Sequence, residues 1–298
     1  MNDRFAGVHW MLATPFDECE EVDYKSLAKL VEKASEFGCV GVVVLGVTGE
    51  VSRLTDVERY KIVDCAIKNA GDMPVTVGTT SPGTAIAVAR SKEAYQLGAQ
   101  ALMIAPPPMA KPNIDEVIKY YEAIVDASPL PLVIQDYPAV SGIHMTTDLV
   151  VQFAQLFPSF RYLKLEDPPT PIKLSAIKAA LGDRIGVFGG LGGLCLFDEL
   201  NRGSLGAMTG FAFIEIFVQI VQYVNQQKNL EAQKLFYKYL PLIQFEMQEG
   251  IGLSIRKESL ALRGFIQSPL VRHPGANIET STREDLKKLV SLLGLEFQ

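Results

Sequence analysis

The sequence predicts an α/β fold, a (β/α)8 TIM barrel with a C-terminal helical extension. Three observations carry this expectation. Over roughly the first 210 residues, short apolar or β-branched runs alternate with longer amphipathic segments. The short runs are apolar almost throughout, as strands of a parallel sheet covered on both faces must be. The unit recurs eight times, about every 25 residues, which exceeds the six strands of the usual doubly wound open sheet.

The elements follow in order. The first strand is expected at 8–12 (HWMLA) and runs out into 13-ATPF. A helix over 23–36 opens on Asp23, a good N-cap. The second strand, 40–45 (VGVVVL), ends in 46-GVTGE. The helix over 55–70 begins with Thr55 and Glu58, three apart as a capping box requires. Strands at 74–78, 101–105 and 131–135 alternate with helices at 84–97, 113–127 and 147–156. The last three strands fall at 161–165 (RYLKL), 185–189 (IGVFG) and 206–210 (GAMTG), with helices at 170–181, 194–203 and 213–226. No G-x-G-x-x-G follows the first strand, and 46-GVTGE is too sparse in glycine to replace one, which argues against a dinucleotide-binding sheet. From 229-NLEAQKLFYKYLPLIQFEM to 283-REDLKKLVSLLG the chain reads as helical throughout. The expected division is a catalytic barrel over 1–227 and a helical subdomain over 228–298.

The chain has 298 residues, 48% hydrophobic and 21% charged, with a net charge of -6. It carries no basic run or stripe, so neither nucleic acid nor an anionic membrane is an expected partner. No stretch approaches the ~18 consecutive apolar residues of a membrane span, and MNDRFAGVHW has no signal-peptide core. A cytoplasmic location is expected. The four cysteines are scattered without a C-x-x-C pair, and the three histidines have no metal-ligand spacing. Reduced thiols and metal-free chemistry are the expectation.

A barrel of this kind works at the C-terminal ends of its strands. Among the residues delivered there, one is a strong nucleophile, Lys164. A lysine desolvated in the barrel mouth loses proton affinity, and its neutral amine can attack a carbonyl to form a Schiff base. The alternative is that Lys164 snorkels outward or pairs with Glu166 or Asp167. Glu166 shares a strand face with Lys164 and fits either an ion-pair partner or a proton shuttle. The amides around Thr48 in 46-GVTGE can cradle a carboxylate, or the segment is an ordinary tight turn. The glycine-dense 189-GGLGG, including Gly190, fits contact with a polar substrate tail, or a closely packed turn. Tyr137 offers a phenol for proton transfer, or packs against the rim.

The order TPF near residue 15, GxTGE at 46–50, P-A-x-S-G at 138–142, a lysine on the sixth strand and G-A-x-x-G at 206–210 resembles the dihydrodipicolinate synthase / N-acetylneuraminate lyase family. The tail 256-RKESLALRGF resembles that family's C-terminal helix, so the likeness spans essentially the whole chain. It implies Schiff-base chemistry of Lys164 with pyruvate or another 2-keto acid as small-molecule substrate. It also implies no metal or organic cofactor, and a homo-oligomer, either tetramer or dimer. The substrate carboxylate would fall to the Val47 N–H and to the N–H and hydroxyl of Thr48. Proton handling and water positioning would fall to Tyr137 or Gln135, and the distal pocket to Gly190 and the loop around it, with Met208 nearby. The sequence departs from the family at Val47, where a hydroxyl is usual, at Gln135, where the strand-five tyrosine stands, and at Val140, where synthases carry an arginine. These departures favour an aldolase or dehydratase of a 2-keto-3-deoxy acid. The full synthase reaction with aspartate semialdehyde, and a silent keto-acid-binding module, are the alternatives.

Overall fold

The structure is a computed structural model and describes residues 3–297; residues 1, 2 and 298, the outer limits of the two expected domains, lie outside the described residues. Eight strands form one closed parallel barrel in sequence order: β1 Gly7–Met11, β2 Gly41–Val44, β3 Val75–Gly78, β4 Ala101–Ile104, β5 Leu132–Asp136, β6 Phe160–Leu165, β7 Gly186–Gly189 and β8 Gly206–Thr209. Closure is made by β1 and β8, with His9 opposite Met208. Each strand lies within one or two residues of its expected place.

The helices between strands are α1 Tyr24–Glu36, α2 Asp56–Asn69, α3 Thr84–Leu97, α4 Ile114–Ala127, the single turn α5 Pro138–Ser141, α6 Thr147–Leu156, α7 Thr170–Leu181 and α8 Leu196–Leu200, with α9 Ile214–Asn225 after β8. Asp23 caps α1 through the Ser26 N–H, and Thr55 and Glu58 form the capping box of α2, each satisfying an N–H that the helix leaves without a partner. Helix α8 is five residues long, shorter than the expected 194–203. Leu191, Gly192 and Gly193 take positive φ just before it, and Gly203 takes positive φ just after it, so the helix is confined between two breaks in regular backbone.

The helices pack on the outer faces of the strands, and that shell holds most of the buried apolar side chains, such as Trp10, Phe153 and Phe217. A second group, including Phe5, Met11, Met103, Tyr162, Phe188 and Met208, fills the barrel interior. The interior is therefore a packed floor under the working face, each fully buried Phe or Leu contributing about 1.5–3 kcal/mol.

The C-terminal segment is less uniform than expected. It contains α10 Asn229–Phe245, α11 Gly252–Leu262 and α12 Thr280–Leu292, but residues 263–279 are not helical. Pro269 and Pro274 deny that stretch two backbone donors, and it runs irregularly back along the barrel. Its Arg272 donates to the carbonyls of Glu20 and Arg53 and to the Glu58 carboxylate. No helix among the described residues is long and apolar enough to cross a membrane.

Candidate active site

Along β6 the side chains alternate, so Tyr162 joins the interior while Leu163 and Leu165 join the outer shell. Lys164 follows the inward set and is 3% exposed. Its Nζ lies 2.9 Å from Oε2 of Glu166, itself buried. The same oxygen accepts a 2.6 Å hydrogen bond from Gln135 Nε2, and Oε1 accepts one of 3.3 Å from the Leu191 N–H. Gln135 stands opposite Lys164 in the β5–β6 register, which is why its amide reaches this carboxylate.

Gly189, the last residue of β7, and Gly190 after it leave room for two buried acids. A Cβ at Gly190 would sit 2.2 Å from Glu166 Cγ, and one at Gly189 would sit 1.8 Å from Oε2 of Glu199. Any side chain at 190 would displace Glu166. Glu199, buried on α8, accepts from the Thr170 hydroxyl at 2.5 Å. Burial pushes its carboxyl up to about 7, with the Asp198 and Glu166 charges adding to the effect and the Thr170 bond opposing it.

Tyr137 is half-buried at the start of α5. Its phenol is raised above its ordinary value by burial first and by the Glu166 carboxylate second, while the Arg256 guanidinium opposes the shift. The phenol therefore stands within electrostatic reach of both groups. Lys164, Gln135, Glu166, Gly190 and Tyr137 thus gather on the β5–β7 side of the mouth.

The 46-GVTGE turn lies at the end of β2, four strands from β6 and so on the opposite side of the closed barrel. Gly49 N–H donates to Gly46 O and Glu50 N–H to Val47 O, and the Thr14 hydroxyl donates to Gly49 O at 2.7 Å. Among the described residues, the N–H groups of Val47 and Thr48 donate to no group of the chain. The Thr48 side chain lies over Gly210, whose Cβ would fall 2.7 Å from Thr48 Cγ2. Val47 is 48% exposed and its side chain carries no polar atom, so the polar groups it can offer are those of its backbone. Met208 is fully buried in the barrel interior, on the packed floor.

Sequence reasoning missed what holds that turn. Glu50 takes left-handed backbone angles, φ 56° and ψ 33°, uncommon for a residue with a Cβ. Its carboxylate is fully buried against Lys257 Nζ at 2.5 Å on one oxygen. The other oxygen accepts from Arg53 Nη1 at 2.8 Å and from the Arg272 N–H at 3.0 Å. Lys257 also donates to Leu270 O at 2.7 Å and lies over the Phe16 ring. The available signal was a lysine within the otherwise buried stretch of α11, more than 200 residues from its partner, where no local pattern can show the pairing. A separate cleft of about 330 Å³ opens outside the barrel wall beside His144, Asp167, Pro168 and Lys173, and Lys164 is not among its walls.

The model of the dihydrodipicolinate synthetase family matches residues 4–293. The chain belongs to that family. An L-2-keto-3-deoxyarabonate dehydratase of Azospirillum brasilense is 29% identical over 95% of this chain and 93% of its own. A 4-hydroxy-tetrahydrodipicolinate synthase of Oceanobacillus iheyensis is 28% identical over 97% of both chains. Among solved structures, the dihydrodipicolinate synthase of Rhodopseudomonas palustris superposes with a TM-score of 0.91 at 33% identity, over 97% of each chain.

Proposed function

We propose that this chain is a Schiff-base-forming lyase, an aldolase or dehydratase, acting on pyruvate or a 2-keto-3-deoxy acid through Lys164. The observation that carries the reading is a buried lysine amine aimed into the barrel mouth 2.9 Å from a buried carboxylate. Lys164 does pair with Glu166, as the alternative expectation had it, and the proposed chemistry gives that pair a use. An ammonium cannot attack a ketone, and Glu166 is placed to take its proton.

The free amine then adds to C2 of the keto acid. A proton moves from nitrogen to the new alkoxide, with the Tyr137 phenol as a carrier within reach. Protonated Glu166 returns its proton to the carbinolamine hydroxyl, which leaves as water. The resulting iminium draws electrons from C3. Breaking C3–C4 then gives an aldolase, and removing a C3 proton while the C4 hydroxyl leaves gives a dehydratase. The iminium nitrogen is itself the electron sink, so this sequence calls on no metal. The unspent N–H groups of Val47 and Thr48, with the Thr48 hydroxyl, would hold the substrate carboxylate. Gln135 would keep Glu166 aligned.

The name of the Azospirillum brasilense relative supports the dehydratase branch. The synthase names support condensation with aspartate semialdehyde as a second reading, but Val140 is 47% exposed and offers no charge to a second carboxylate. The test is borohydride reduction after incubation with pyruvate, followed by peptide mass mapping. An adduct on Lys164, absent from Lys164→Ala, is expected. An unmodified Lys164 in a folded, pyruvate-saturated sample would overturn the reading.

A further inference from the structure

Lys257 has a neighbour that the proposed chemistry leaves unused. Arg256 is one residue earlier on α11, so its side chain projects from a different side of the helix. Its Nε lies 3.2 Å from Oε2 of Glu246, a buried acid that also accepts from the Ala212 N–H. Its Nη2 lies 3.0 Å from the Met247 thioether sulfur, a weak acceptor that leaves most of the donor strength of a guanidinium unspent. The side chain is 13% exposed, so the cation is largely withdrawn from water but not sealed off.

Its position ties it to the mouth. A Cβ built on Gly192 would lie 3.1 Å from Arg256 Nη2, so the guanidinium rests directly against the 190–193 turn. The Leu191 N–H of the same turn donates to Glu166. From the side of β5, the Tyr137 phenol feels the charges of both Glu166 and Arg256. The 190–193 turn therefore connects the acid beside Lys164 to a cation that the sequence places 90 residues further on. No basic residue near 189-GGLGG in the sequence suggested one.

We infer that Arg256 is a specificity-determining residue that binds an oxygen at the far end of the substrate, selecting 2-keto-3-deoxy acids with a hydroxylated or carboxylate tail over bare pyruvate. The inference rests on the Schiff-base reading. With C2 bonded to Lys164 and C1 held at Val47 and Thr48, a tail that turns toward β7 meets the 190–193 turn, against which the Arg256 guanidinium rests. A guanidinium there, with a fork of donors, suits an alcohol or a carboxylate and gains nothing from a methyl group.

The test measures the half-saturating concentration for borohydride trapping at Lys164, by adduct mass, with pyruvate and with hydroxylated and dicarboxylic 2-keto-3-deoxy acids of five and six carbons. The wild type is expected to saturate with at least one tail-bearing acid at about 10- to 100-fold lower concentration than with pyruvate, the range of one or two charge-assisted hydrogen bonds. Arg256→Gln should remove that preference, and Arg256→Lys should restore part of it. Which tail is preferred identifies the oxygen that Arg256 takes. A wild type without preference for any tail, or an Arg256→Gln variant that keeps it, overturns the inference. An equal loss for pyruvate and tail-bearing acids in Arg256→Gln overturns it too, because it shows a structural role only. Failure of the Schiff-base reading looks different, since the wild type then gives no adduct with any acid.

Discussion

At the scale of the residue, the pair Lys164–Glu166 carries two duties that conflict. Coulomb attraction at 2.9 Å favours the ammonium, while addition to a ketone needs the amine. The conflict is resolved if the proton crosses to Glu166 only when substrate displaces water from the mouth. Glu166→Gln keeps the shape and an acceptor oxygen but removes the proton acceptor. Its trapping rate with pyruvate at neutral pH should fall by about 10²–10⁴, the usual contribution of a placed general base. A Glu166→Gln variant that traps pyruvate as fast as the wild type would show that Glu166 only packs. Lys164 itself was legible in the sequence because a charged residue inside an apolar strand stands out. The carboxylate's other partners were less so: Gln135 and the Leu191 N–H become neighbours only once the barrel register is set.

At the scale of the element, the strands and the helices of the barrel could be read from periodicity and caps, since each signal lies within about 15 residues of its effect. The C-terminal segment could not be read that way. The pairing of Glu50 with Lys257 spans 207 residues, and the irregular course of 263–279 is fixed by what it touches, notably Arg272 against Glu20, Arg53 and Glu58. Removing the cation alone leaves a buried carboxylate short of a partner. Lys257→Met should therefore destabilise the fold by about 3 kcal/mol, the low end for a broken buried pair, because Arg53 and the Arg272 N–H still hold one oxygen. Chemical denaturation would measure it. The double variant Glu50→Gln/Lys257→Met should recover part of that loss. If the Glu50 clamp sets the 46–50 turn, Lys257→Met should also raise the pyruvate concentration needed for half-maximal trapping, and unchanged half-saturation would separate the clamp from the site.

At the scale of the whole molecule, several buried acids are held toward their neutral forms. Burial raises Asp136 to about 6, and Glu199 and Glu246 to about 7. A raised acid binds its proton more tightly folded than unfolded. Its contribution is complete below the unfolded value, near 4.5 for a glutamate, and is lost as pH climbs through the folded value near 7. His9, lowered by burial to about 4, works in the opposite sense, its contribution being lost as pH falls from 6.5 through 4. Relative to the wild type, Glu199→Gln should show a shallower decline in melting temperature between pH 5 and 8, because one titrating group of that set is gone. Identical slopes would mean that Glu199 does not titrate across that interval.

Arg256 and Lys257 are adjacent in the chain, yet one lies against the turn beside Glu166 and the other anchors the turn beneath Val47 and Thr48. Both ends of any molecule bonded to Lys164 would thus be gauged from one short helix. α11 then behaves as a ruler: a small slide along its axis changes the length of carbon chain that fits. Enzymes with altered chain-length preference could be sought by exchanging residues 251–263 alone, leaving the barrel and its nucleophile untouched.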